Sequence, residues 1–357
     1  MLLSACQPQL AIVGLATPSS RSEPLLDLAT RDPISSNTPT ATITQQAQLS
    51  PTATMLPDPF DLLSTQVLKP EVAWRPPLYP VPWALGPNDH FFFTRPLQAD
   101  QVNWPLPDYR YGATNFGLNR PHTGVEFVVP KGTPIYAAGP GKILWAGRSL
   151  FQSADSEEDP YGIAVLLRHD FGFNNRALQT VYAHLSGVAV EFGQIVESGD
   201  LIGYAGATGL VTGPHLHFEV RINVINDFFS TLNPELWLAP PQGWGVLAGR
   251  VSLDGLELLH LKEIRVISKD RNQEWFVNTY GSDQTINSDP YYKENFVLSD
   301  IPAGPYYLLL EYLDEVYRLD FEILPGAITY FSFSGVSGMS TQLPGISRPT
   351  NLPIISP

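Results

Sequence analysis

Short apolar runs broken by glycine-bearing turns dominate the chain from about Asn88 to Pro240. Strands are expected over Gly124–Val129, Ile135–Ala137, Lys142–Ala146, Ile163–Arg168, Thr180–Leu185, Gly193–Ile195, Leu201–Tyr204 and His217–Ile222. Runs of this length at this spacing read as an antiparallel sheet or sandwich rather than as helices. One short turn is expected near Asn233–Trp237, and Phe171–Arg176 reads as a loop. The polar stretch Ser153–Asp159 reads as a solvated insertion between two strands. After Pro240-Pro241 the pattern repeats over Val246–Leu253, Glu257–Ser268, Glu274–Tyr280, Asn295–Leu298, Tyr306–Leu313, Val316–Ile323 and Ala327–Ser334. Seven strands in so short a stretch fit a small β-sandwich. The fold class expected is therefore all-β.

The flanks lack such patterning. Of the 27 residues from Arg31 to Pro57, 13 are Ser, Thr or Pro, too few apolar groups to offset the entropy of ordering. The expected organisation is a tether over 1–70, a Pro- and aromatic-rich wrapping segment over 71–87, a first β domain over 88–240, a sandwich over 241–336 and a loose tail over 337–357. With 21 Lys+Arg against 35 Asp+Glu, the net charge is −14. A nucleic-acid binder would need a basic face to neutralise phosphates, so that class is excluded. The same balance speaks against electrostatic attachment to anionic lipid. The single cysteine rules out an intrachain disulfide and a cysteine zinc cluster. It sits in Leu3-Ser4-Ala5-Cys6, which resembles a bacterial lipobox, whose cysteine is lipidated. Only five residues precede Cys6, too few for a secretion signal with its apolar stretch. The match implies a start further upstream; the alternative is an ordinary thiol.

Candidate chemistry gathers in three short segments of the first β domain. Pro121-His122-Thr123-Gly124-Val125-Glu126 carries a histidine and a carboxylate four residues apart. On a straight strand they would lie about 13 Å apart on one face. The intervening glycine permits the bulge that would bring both to one ion. Tyr182-Ala183-His184-Leu185 puts a histidine at a strand end, and Gly213-Pro214-His215-Leu216-His217-Phe218 places two histidines on one face. Imidazole and carboxylate are zinc ligands, and three of them plus an open position make a catalytic site. His169, Asp170, His90 and His260 read as structural.

In this order and context the segments resemble the LytM/lysostaphin family of zinc metallopeptidases, over about residues 88–240. Gly132-Thr133-Pro134-Ile135-Tyr136-Ala137-Ala138, Gly199-Asp200-Leu201-Ile202-Gly203 and Ala207-Thr208-Gly209 extend the likeness. The resemblance implies a Zn²⁺ held by His122, Glu126 and His217. It makes His184 and His215 the acid–base and oxyanion-stabilising pair, with Tyr182 orienting substrate. The implied substrates are the short peptides of bacterial peptidoglycan, and the implied place is the cell envelope, with membrane contact only through a lipid on Cys6. One residue departs from the pattern: the family's usual second ligand is Asp, and Glu126 is longer by one methylene, about 1.5 Å of reach. Further along, Tyr291–Phe296 followed by Ile301–Tyr307 resembles the prealbumin-like sandwich appended to carboxypeptidases. Two rival readings remain: a non-catalytic scaffold that binds or activates a separate wall hydrolase, and a binding module dominated by its C-terminal sandwich.

Overall fold

A computed structural model describes residues 75–101, 104–114, 121–150, 159–222 and 230–344. The expected tether, Cys6, most of the Ser153–Asp159 insertion and the end of the tail lie outside the described residues. The first region contributes β1 (Val125–Phe127), β2 (Pro134–Tyr136), β3 (Gly141–Gly147), β4 (Ile163–Phe173), β5 (Arg176–Val188), β6 (Ile195–Val196), β7 (Leu201–Ala205), β8 (Leu216–Ile222) and β9 (Thr231–Leu232). They form one antiparallel sheet whose main path runs β1-β8-β5-β4-β3-β6. β2 and β7 branch from β5, and β9 pairs with β8. Among the described residues the single helical element is a 3₁₀ turn at Pro234–Leu236, capped by the Asn233 side chain.

β8 explains where the chemistry sits. Leu216, Phe218, Val220 and Ile222 enter the main core. The alternate residues His217, Glu219 and Arg221 are equally buried but on the opposite face. β1 lies against β8 in the register Glu126↔His217, and β5 pairs its other edge as Ala183↔His217. The central strand thus holds one ligand candidate between two strands that carry the others.

Two details differ from the sequence reading. Phe171–Arg176 is no loop: β4 and β5 run into a tight hairpin in which Phe173 faces Arg176. Its two connecting residues, Asn174 and Asn175, have φ of 51° and 61°. Asparagine tolerates that left-handed region, so Asn-Asn closes a hairpin much as Asn-Gly does. Leu261, with φ 53°, likewise breaks the run expected over Glu257–Ser268, and only its last six residues form a strand.

The C-terminal region contributes β10 (Trp244–Ser252), β11 (Glu263–Ser268), β12 (Glu274–Asn278), β13 (Phe296–Pro302), β14 (Gly304–Tyr312), β15 (Glu315–Ile323), β16 (Ile328–Ser334) and β17 (Gly338–Ser340). They make two four-stranded sheets, β13-β10-β16-β17 and β12-β11-β14-β15. Leu247, Val251, Ile264, Val266, Leu308 and Phe331 meet in a core between them. The β10–β16 pair is parallel, whereas the other pairings of these strands are antiparallel.

The opposite face of the β10 sheet is not left to solvent. Val246, Ala248, Val297, Ile328 and Tyr330 belong to the same apolar cluster as Phe93, Phe218 and Trp237 of the first region. Buried polar pairs cross the same boundary: Arg95–Asp300 at 2.5 Å and Tyr292 to Asp89 at 2.7 Å. The wrapping segment spans the seam, with Trp83 donating to the Gly326 carbonyl at 2.8 Å. The two regions share one core. A chain ending at Pro240 is therefore expected to lose cooperative thermal unfolding, since large core residues would face water; calorimetry with circular dichroism checks this. A sharp melt like that of the full chain would show that the first region folds alone.

Candidate metal centre

The structure brings His122, Glu126 and His217 to one point. His122 Nε2 lies 2.8 Å from Glu126 Oε1 and 3.0 Å from His217 Nδ1, and His217 Nδ1 is 3.0 Å from the same Oε1. All three residues are buried. Gly124 makes the approach possible through closeness rather than through the bulge expected. A Cβ there would stand 2.4 Å from the Phe218 carbonyl oxygen and 2.9 Å from the His217 ring.

The far nitrogens decide which atoms face inward. His122 Nδ1 points to the Arg110 carbonyl at 3.2 Å and His217 Nε2 to the Glu219 carboxylate at 3.0 Å. Carbonyl and carboxylate oxygens only accept, so both far nitrogens carry hydrogens. His122 Nε2, His217 Nδ1 and Glu126 Oε1 are left as converging donors. Burial pushes His122 down toward the neutral form, partly offset by Glu126. Burial also opposes charge on His217, but Glu126 and Glu219 lift it to about 9. Without an ion, one proton thus sits between His217 and Glu126. Ligand atoms sharing one tetrahedral zinc stand about 3.3 Å apart, close to the 2.8–3.0 Å edges seen here. A divalent cation fits in place of that proton.

His184 and His215 stand on the other side of Glu126. His215 Nε2 lies 3.0 Å from Oε2, and the His184 ring is 4.8 Å from that of His215 and 5.5 Å from that of His217. Each donates Nδ1–H to a carbonyl at 2.9 Å, Thr208 for His184 and Gly213 for His215. His184 has a left-handed φ of 62° where the pairing of β4 with β5 shifts register, between Ile163↔Leu185 and Val165↔Tyr182. That bulge swings its ring out of the strand's alternation and toward the cluster. Thr208 is fixed in turn: its hydroxyl donates to the Leu185 carbonyl at 2.7 Å and accepts from the Ile163 amide at 2.9 Å. Burial, reinforced by His215 and His217, pushes His184 down to about 3, so it is neutral at physiological pH.

Several supporting residues escaped the sequence reading. Glu219 accepts from His217, from Thr123 at 2.5 Å, from Tyr161 at 2.7 Å and from Arg221 at 2.6 Å. Arg221 also reaches the Tyr161 hydroxyl at 2.9 Å. Such an outer carboxylate fixes the ring of a ligating histidine and raises its basicity. The signal was present as polar residues at every second position, 215, 217, 219 and 221, along an otherwise apolar strand. A strap just ahead of His122 escaped as well. Tyr109 stacks on the His122 ring with centroids 4.0 Å apart, and Gly112 and Ala113 bond its backbone at 2.8 Å each. The C-terminal sheets hold that strap: Arg110 pairs with Glu235, which accepts from Ser299, and the Tyr111 hydroxyl accepts from the Asn287 amide at 2.9 Å.

Tyr182 is a correction. Its ring is fully buried in the core, and its hydroxyl bonds the Ala138 amide at 2.8 Å and Thr180 at 3.0 Å. It braces β5 and cannot meet a substrate. His169 is held on both nitrogens by Pro140 and Thr180. His90 is buried beside Asp289 at 3.2 Å, while Asp170 is exposed on β4. These three lie outside the cluster.

A family model described as peptidase family M23 matches residues 120–227. The DD-carboxypeptidase/endopeptidase Mpg of Neisseria meningitidis is 42% identical over 104 residues, 29% of this chain and 21% of that protein. The peptidoglycan DD-endopeptidase ShyB of Vibrio cholerae is 39% identical over 103 residues, again 29% and 21%. The crystallised catalytic domain of lysostaphin from Staphylococcus simulans is 32% identical, covering 35% of this chain and 86% of that domain, with a TM-score of 0.30. The chain spans about a fifth of the length of Mpg and ShyB.

Two outcomes test the centre. Because His217 holds a proton up to about pH 9, zinc uptake at pH 7 should release close to one proton. The apparent affinity should then rise nearly tenfold per pH unit below 9. Calorimetry in buffers of different ionisation enthalpy reads this directly. Glu219→Gln keeps the shape but removes the charge behind His217, and zinc affinity should fall about 10–100-fold. Chelator competition measures that loss.

Proposed function

Residues 120–227 belong to peptidase family M23, and on that premise we propose that the chain is a zinc metalloendopeptidase cutting peptide bonds of bacterial peptidoglycan. The observation that carries the reading is the convergence of His122 Nε2, His217 Nδ1 and Glu126 Oε1 with two further histidines on one side. Those three residues would hold Zn²⁺. When bound, zinc polarises the scissile carbonyl and acidifies the attacking water. The protein's own share is proton handling and orientation. His184, neutral through burial, accepts at Nε2 while Thr208 fixes its other nitrogen. His215, oriented through Gly213, stands beside Glu126 to return a proton to the leaving amine. Glu219 holds the His217 ring on its ligand axis.

The rival scaffold reading finds no support in the site, because each of the five residues is present and each histidine is pre-oriented. The likeness to ShyB, a peptidoglycan DD-endopeptidase, supports the substrate class. An envelope location follows from that substrate, with Cys6 as a lipid anchor and 1–70 as the tether. No helix among the described residues is long and apolar enough to cross a membrane. The region 241–336 is an accessory sandwich of prealbumin-like type, set against the peptidase region at 88–240.

The test is mass spectrometry of purified peptidoglycan after incubation with zinc-loaded protein, which should show newly cut stem or bridge peptides. His217→Ala should lose both zinc and cleavage. His184→Ala and His215→Ala should retain one zinc while turnover drops about 10²–10⁴-fold. An intact wall after treatment with zinc-loaded wild type would reverse the reading in favour of the scaffold.

A further inference from the structure

Of the three ligand candidates, His122 alone lies outside a strand. It precedes β1, and its backbone pairs with the strap: its N–H donates to the Ala113 carbonyl and its carbonyl accepts from the Gly112 amide, at 2.8 Å each. Its ring hydrogen goes to the Arg110 carbonyl at 3.2 Å, the longest of the four bonds that orient the imidazoles. The place of Arg110 therefore sets the place of the ring. Arg110 is itself fixed from the other side of the seam. Its guanidinium pairs with Glu235, whose side chain is fully buried on the 3₁₀ turn. The same carboxylate oxygen, Oε2, accepts from the Ser299 amide of β13 at 2.9 Å and from its hydroxyl at 2.7 Å. A line of contacts thus runs from Ser299 through Glu235 and Arg110 to His122.

This ion pair is a poor device for stability alone. Arg110 Nε and Glu235 Oε1 are buried and find no hydrogen-bond partner, so each ionic group is only half matched. Replacing such a pair by uncharged groups of similar shape commonly leaves stability unchanged or raises it. What a charged contact adds is a short bond of defined direction. We propose that Glu235 is a positioning residue for the metal centre, acting through Arg110 to hold the His122 ring on its ligand axis. Through Ser299, the C-terminal sheet is then a working part of the metal site and not an appendage.

This inference rests on the zinc reading above, and its test sets zinc affinity against thermal stability in the full chain. Arg110→Met combined with Glu235→Gln removes both charges, roughly keeps the volumes and leaves Ser299 an acceptor. Zinc affinity by chelator competition should fall about tenfold, while the melting temperature stays within a few degrees of wild type. The visible absorption of the cobalt-loaded protein, which reports ligand geometry, should change with it. Arg110→Lys keeps a single charged contact to Glu235 and should hold zinc within a few-fold of wild type. Tyr292→Phe cuts another buried bond across the same boundary, the one to Asp89, and should leave zinc affinity unchanged even where it lowers the melting temperature. Wild-type affinity in the double variant would overturn the proposal and leave the peptidase reading standing. So would an equal loss in Tyr292→Phe, which would trace the effect to loosened packing. A loss in Arg110→Lys as large as in the double variant would also overturn it. No bound zinc in wild type would overturn the peptidase reading itself.

Discussion

The hydrogen bond on the far side of each imidazole is the interaction on which this site depends. A histidine ring turns freely about two bonds and offers either nitrogen, so a cluster of histidines is not in itself a binding site. Here Arg110, Glu219, Thr208 and Gly213 each take one ring hydrogen and thereby decide which nitrogen faces inward. Three of those four acceptors are backbone carbonyls, so the orientation is built into the course of the chain. The rest of the fold can be read as the means of keeping them in place: the Thr208 loop pinned to Leu185 and Ile163, and the 109–113 strap pinned to His122.

The ligand candidates were legible because they lie in short, glycine-flanked segments whose residue types have few other uses at that spacing. Most strands were legible too, since alternation is a local property. What escaped was non-local. Arg110 reaches Glu235, and Glu235 reaches Ser299; nothing near any of the three in sequence announces that partner. The parallel β10–β16 pair is of the same kind. Tyr182 misled for a different reason: two residues from His184, it would share that residue's face in a regular strand. The bulge at His184 turns the imidazole to the cluster and leaves Tyr182 in the core.

A buried charge network beside an apolar core is costly to assemble and costly to disturb. Glu219 and Arg221 are nearly inaccessible, yet every oxygen of Glu219 is matched by a donor. Burial alone would raise the Glu219 carboxyl, but Arg221, His217 and Thr123 hold it well below its usual range. It therefore stays charged through the neutral range, and so does its support of the basicity of His217.

The strap has a consequence for how the molecule comes into being. Translation delivers His122 and the segment before it well ahead of Tyr280, Asn287 and Ser299. Gly112, with a φ of 78°, packs so tightly on Tyr280 that a Cβ would lie 2.4 Å from that residue's own Cβ. The nascent first region thus emerges with an essential wall missing, and the strap settles only when the last sheets dock. A chain that stops short of Ser299 would therefore leave the strap, and with it the His122 ring, without the contacts that seat them.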